Sequence, residues 1–155
     1  VNIYQLLEKD HDTVRKLLEQ IEKASTHARK PRETLFSTLR SELLAHLQAE
    51  QEVFYGALLQ RLDDQDLLLA AFEEHPLVAQ LIKDVESCAA EEQRWKDKLV
   101  GLKDLVEHHV EQGEGEIFEM AREHLAEEEE EELGVRMQER KEEILMLQRG
   151  SDALR

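Results

Sequence analysis

His46-Leu47-Gln48-Ala49-Glu50-Gln51-Glu52-Val53-Phe54 and His109-Val110-Glu111-Gln112-Gly113-Glu114-Gly115-Glu116-Ile117-Phe118 are two versions of one phrase. Each runs from a histidine to a Glu-x-Glu-[Val/Ile]-Phe block, inside a long stretch whose apolar residues recur at helical spacing. In the first copy His46 and Glu50 lie one turn apart on a single helix face, and Leu39, Leu43 and Phe54 put that face in the core. An imidazole and a carboxylate are costly to bury together unless something pairs with both. A metal ion does so, and this mixture of ligand types suits iron, manganese or zinc.

Working outward, the first segment opens on Asn2 and Gln5, spaced as a capping box. Leu7, His11, Val14, Leu18 and Ile21 form one stripe along it, with His11 inside the stripe. Polar residues from Ser25 to Lys30, then Pro31, end that helix and start the next. The second segment spans about Arg32 to Leu62, and Asp63-Asp64 turns the chain. The third carries Leu67, Leu68, Ala71, His75, Val78 and Ile82 inward. Pro76 directly after His75 predicts a kink or break there, because proline lacks the N–H and crowds the carbonyl near Phe72. A surface loop beginning at Glu73-Glu74-His75 is the competing expectation. The next boundary falls within Glu86 to Glu92, and the fourth segment presents Trp95, Leu99, Leu102, Leu105, Val106 and His109. The acidic run Glu127 to Glu132 is the dipole-favoured start of a fifth helix. Leu133, Met137, Ile144 and Leu147 give that helix a narrow apolar edge, suited to lying against the outside of a bundle, with Gly150 as its stop.

Composition agrees. Among 155 residues there are only six Gly and two Pro, which favours helices. The expected fold is therefore all-α, an up-down-up-down four-helix bundle over 1–126 with an additional C-terminal helix over 127–155. Thirty-six acids against twenty bases give a net charge of −16, which disfavours nucleic acid and anionic membranes as partners. One cysteine, Cys88, fits a reducing compartment, and neither a membrane-length apolar run nor a signal peptide is evident, so a cytoplasmic location is expected.

Seven histidines are many for this length. Four of them, His11, His46, His75 and His109, fall one to each inner stripe, and Glu50 and Glu114 add carboxylates. A single buried histidine is usually just a hydrogen-bonded core residue; one on every helix points to a metal centre. His109 and Glu114 are five residues apart, which on a regular helix is about 140° of rotation. A π-bulge around Gly113 and Gly115 would swing Glu114 back, or the two side chains would straddle a pair of ions. Glu111 is the competing carboxylate; His108 has at most a role behind the ligands, and His27 and His124 read as surface. Four imidazoles and two carboxylates crowd one ion but accommodate two, held about 3.5–4 Å apart in sites of this kind.

The chain resembles the hemerythrin-like, or HHE cation-binding, domains. Asp10-His11-Asp12-Thr13-Val14, His46-x3-Glu50 with Val53-Phe54-Tyr55, Glu74-His75, and His108-His109 with Glu114-x-Glu116-Ile117-Phe118 carry the likeness, from Asn2 to Leu125. It implies a non-haem di-iron centre in a four-helix bundle, with the same five-residue spacing on the last helix. Two departures stand out. Ala79 occupies the place of a second third-helix histidine in the oxygen carriers, leaving a coordination position open. Gln112 and Gly113 stand where relatives are often richer in glutamate. The resemblance thus implies two iron ions, with zinc or manganese as substitutes, held by His11, His46, Glu50, His75, His109 and Glu114. Dioxygen, peroxide or another small diatomic molecule would be the ligand, in sensing or peroxide turnover rather than carriage. Iron storage or donation for repair of iron–sulfur clusters is the alternative, and a metal-free helical interaction module the third reading.

Overall fold

The computed structural model describes residues 1–25 and 27–153; Thr26 in the polar break, and Leu154 and Arg155 at the end of the C-terminal segment, lie outside the described residues. Among the described residues the regular structure is entirely helical. Helix α1 (Ile3–Lys23) starts at the expected capping box. The Asn2 side chain accepts from the Gln5 N–H at 2.9 Å and the Gln5 side chain accepts from the Asn2 N–H at 3.1 Å. Helix α2 (Arg29–Ala49) begins slightly before the expected Arg32, with Pro31 in its first turn, where a missing N–H is tolerated. It runs on through a π-helical stretch (Glu50–Tyr55) into the short helix α3 (Gly56–Leu59).

Helix α4 (Asp66–Glu86) overturns the expectation at Pro76. It continues unbroken through the proline, with no loop at Glu73 to His75. Pro76 is exposed, so the lost hydrogen bond falls on the solvent side, where water satisfies the freed carbonyl. His75 is thereby kept facing inward from a regular helix. Helix α5 (Gln93–Gln112) passes through a second π stretch (Gly113–Ile117) into α6 (Phe118–His124).

Helix α7 (Glu127–Ala153) lies along α1 and α2. Leu133, Met137 and Ile144 are buried as the apolar edge requires, but Leu147 is 65% exposed and the helix does not stop at Gly150. A single glycine has weak stopping power without a left-handed cap, and no glycine here has positive φ. Gly134 allows the close approach of α7 to the start of α1, since a Cβ there would lie 2.5 Å from the Val1 carbonyl oxygen. Arg32 ties the far end together, donating to the Ala90 carbonyl at 2.8 Å with its guanidinium over the Trp95 ring.

The core is divided in two. One apolar group holds Ile3, Leu7, Phe54, Leu68, Phe118 and Met137; the other holds Val14, Leu18, Leu43, Val78, Leu102 and Val106. On α1 and α4 the break between the groups falls at His11 and His75; on α2 the groups interleave around His46, and beyond α5 the change comes after Val110, one residue past His109.

Candidate metal centre

Those four histidines and Glu50 form a buried polar layer between the two apolar ones. All five are at most 7% exposed. Glu50 stands at the middle. Its Oε2 lies 3.6 Å from His46 Nε2, and its Oε1 lies 3.3 Å from His75 Nε2 and 3.1 Å from His109 Nε2. His11 completes the group from α1, its ring 5.0 Å from that of His46 and 6.2 Å from that of His109. His11, His46, Glu50 and His109 each offer a donor atom, and these atoms all lie within 4.8 Å of one another. His75 joins them through Glu50, and Glu114 through His11, with its Oε2 3.4 Å from His11 Nδ1. All six expected residues are therefore brought together, whereas Glu111 is exposed.

Local backbone explains the placement. Both histidine-to-carboxylate phrases end in a π turn, at Glu50–Tyr55 and at Gly113–Ile117. The second is the bulge that was one of the two solutions to the five-residue spacing; the first has no signal in the sequence, because His46 and Glu50 already share a face on a regular helix. Glycines at 113 and 115 ease the distortion in one copy. In the other, Gly56 directly follows the π turn.

The inner nitrogens meet no conventional partner. His46 Nε2, His75 Nε2, His109 Nε2, both nitrogens of His11 and Glu50 Oε1 are all buried without an aligned hydrogen bond. Buried polar atoms are nearly always satisfied, so this gathering of imidazole nitrogens around one carboxylate, within ion-pair distance but without aligned hydrogen bonds, is an anomaly. Nitrogen and oxygen donors of this type are what a divalent cation takes, and the residues fit such an ion.

The outer edges of the rings are held. Asp10, itself buried, accepts from His46 Nδ1 at 2.9 Å, and Gln51 Oε1 accepts from His75 Nδ1 at 3.2 Å. Glu74 approaches His109 Nδ1 at 3.7 Å and the exposed His108 at 3.2 Å. Fixing Nδ1 in this way points Nε2 inward. Tyr55 stacks on His75 with ring centroids 5.4 Å apart.

Electrostatics divide the histidines. Burial, together with neighbouring His46, holds His11 down at about 3, so it stays neutral. Burial also disfavours the charged forms of His46 and His109, but the Glu50 carboxylate outweighs it. With help from Asp10, His46 is raised to about 9; with help from Glu74, His109 is raised to about 10. Glu50 in turn is held well below the usual carboxylate range, against its own burial, by His109 and His46. Glu114 is raised, chiefly by burial.

Gln51 and Lys141 are contributors that sequence reasoning did not place, and Asp10 and Glu74 stood in the motifs carrying the family likeness without a role of their own. Lys141, on α7, donates to Asp10 at 2.8 Å and forms an ion pair with Glu42 at 2.9 Å. Its signal was its register: it sits in the apolar stripe between Met137 and Ile144, where a lysine is out of place.

Comparison with known proteins agrees with this geometry. Residues 2–121 match the family described as Hemerythrin HHE cation binding domain. A crystal structure of a hemerythrin HHE cation binding domain-containing protein from Mycobacterium kansasii superposes with a TM-score of 0.77. It is 25% identical, and the match covers 94% of this chain and 88% of that one. A DNA nickase from Nostoc sp. (strain PCC 7120 / SAG 25.82 / UTEX 2576) is 27% identical over 128 residues, covering 83% of this chain. This chain spans only 36% of that nickase's length. With four buried histidines gathered on a glutamate, and a family match over most of its length, the chain belongs to the hemerythrin HHE cation-binding domain family.

Proposed function

We propose that the chain holds a non-haem di-iron centre and reacts with dioxygen or peroxide, as a sensor or in peroxide turnover. The observation that carries this is Glu50: its two oxygens face different imidazoles, Oε2 towards His46 and Oε1 towards His75 and His109. A carboxylate divided in this way suits a bridge between two cations better than a ligand to one. His11, His46, His75, His109 and Glu114 are the remaining ligands in this proposal.

Bound iron supplies the electrons for reducing an oxygen ligand, so no organic cofactor is needed. The protein's part is to bind, orient and exclude. Asp10 and Gln51 fix the rings of His46 and His75. Phe54 and Phe118 on one side, Val14 and Val106 on the other, keep bulk water from the layer. Glu114, with 28% of its side chain exposed, is where the layer meets solvent and where a small molecule enters. Ala79, in place of a further imidazole, leaves room for that molecule. A net charge of −16 is unfavourable for gripping a polyanion, so the nickase's activity is not carried over to this chain. The cytoplasm is the proposed location.

Elemental analysis and optical spectroscopy test the proposal together. Two iron atoms per chain are expected, with near-ultraviolet absorption that changes when dioxygen or peroxide meets the reduced protein. Tightly held zinc, and no spectral response to either oxidant from iron-reconstituted protein, would overturn it. Iron that passes readily to an apo iron–sulfur protein, without such a response, would favour storage or donation.

A further inference from the structure

Helix α7 lies outside the four-helix frame, yet it sends one charge into the interior. Lys141 is 9% exposed and sits between Met137 (0%) and Ile144 (5%) on the buried edge of α7. Its ammonium donates to Asp10 Oδ1 at 2.8 Å and reaches Glu42 Oε2 at 2.9 Å. The other Asp10 oxygen accepts from His46 Nδ1 at 2.9 Å. A buried chain of charge-assisted bonds therefore runs from α7 through α1 to a histidine of α2, each link no longer than 2.9 Å.

Docking alone does not call for this arrangement. Apolar residues of similar size commonly replace buried ion pairs with no loss of stability, and Leu133, Met137 and Ile144 already supply the packing. What the ammonium adds is direction. With Oδ1 held by Lys141, Oδ2 is left to accept from His46 Nδ1; without the lysine Asp10 keeps only that one bond, and the ring of His46 is held less firmly.

We propose that Lys141 is a positioning residue for the metal centre, acting through Asp10 on His46, and that metal occupancy and docking of α7 are thereby coupled. The inference rests on the cluster being a metal site. Loss of a partner behind a ligating histidine typically lowers metal affinity about 10- to 100-fold. By linkage, metal must tighten the docking of α7 by the same factor that docked α7 tightens the metal.

The test is titration of the metal-free full chain with Co(II), followed by its visible absorption, and with Fe(II) under anaerobic conditions. Lys141→Met should bind both ions about 10- to 100-fold more weakly, with a shifted Co(II) spectrum, and Lys141→Arg should recover most of the affinity. Met137→Ala, which loosens the same helix without touching the charges, should lower thermal stability but, with α7 still largely docked, weaken metal binding far less than Lys141→Met does. Hydrogen exchange in α7 should slow on metal addition in the wild type and not in Lys141→Met. If Lys141→Met does not fold, Lys141→Gln, which keeps a donor of similar length, carries the comparison and should bind with intermediate affinity. Wild-type affinity in Lys141→Met, or an equal loss in Met137→Ala, would overturn the inference while leaving the metal site standing. Failure of the wild type to bind either ion would instead remove the site itself.

Discussion

Metal binding here should be a proton-releasing reaction, with His46 and His109 as the main sources of the protons. In the metal-free protein His46 is raised to about 9 and His109 to about 10, while His11 is held down at about 3 and Glu50 well below its usual range. At pH 7 this leaves His46 and His109 carrying the two protons that a cation must displace; His11 and Glu50 have none to give. Calorimetric titration in buffers of different ionisation enthalpy should therefore give at least two protons released per centre filled. Affinity should climb by about two log units per pH unit while both rings stay protonated, or about four orders of magnitude from pH 6 to pH 8. Stability carries the same signature. A raised histidine stabilises the fold at low pH and loses that contribution as pH rises through its folded pKa. The metal-free protein should thus weaken as pH rises from about 6.5 to about 9–10, and the metal-loaded protein should not. On the acid side the depressed values of Glu50, Asp10 and His11 all make stability fall as pH drops. A release near zero at pH 7, with affinity flat from pH 6 to pH 8, would refute the reasoning: Glu50 would not be sharing its charge with those rings.

Two substitutions probe the scaffold. Gly134→Ala places a Cβ 2.5 Å from Val1 O and 2.9 Å from Asn2 C, so a cost of about 1–3 kcal/mol for overpacking should exceed the gain of about 1 kcal/mol in helix propensity; a lower melting temperature and faster proteolysis of α7 are expected, and an unchanged melt would show that the N-terminus yields freely. Pro76→Ala restores a backbone donor on the exposed side of an unbroken helix and should raise stability by about 1–2 kcal/mol in urea unfolding, with metal content unchanged.

Much of this was legible in the amino-acid order because helices report themselves through period. The stripes of α1, α2, α4 and α5 located the four inward histidines, and the five-residue gap from His109 to Glu114 offered the π turn found at Gly113–Ile117 as one of two solutions. The π turn at Glu50–Tyr55 left no trace, since His46 and Glu50 satisfy ordinary helical spacing. Pro76 misled because its cost depends on which side of the helix it faces, and an exposed proline is tolerated where a buried one is not. The roles of Asp10 and Lys141 were missed for a different reason. Their partners lie 36 and 131 residues away, and no local pattern encodes a contact across that separation. Leu147 looked apolar enough to be buried but lies off the inner edge of α7, which runs through Lys141, Ile144, Leu145 and Gln148.

The paired π turns make the bundle editable. Each is a helix carrying one residue more than its hydrogen-bond ladder needs, so removing a residue from Gly113–Ile117 would let α5 and α6 fuse into a plain α-helix with Phe118 and Ala121 still on the core side. What would vanish is the inward reach of Glu114. In this molecule the architecture and the chemistry are written in separable letters, and one deletion can erase the second while the first survives.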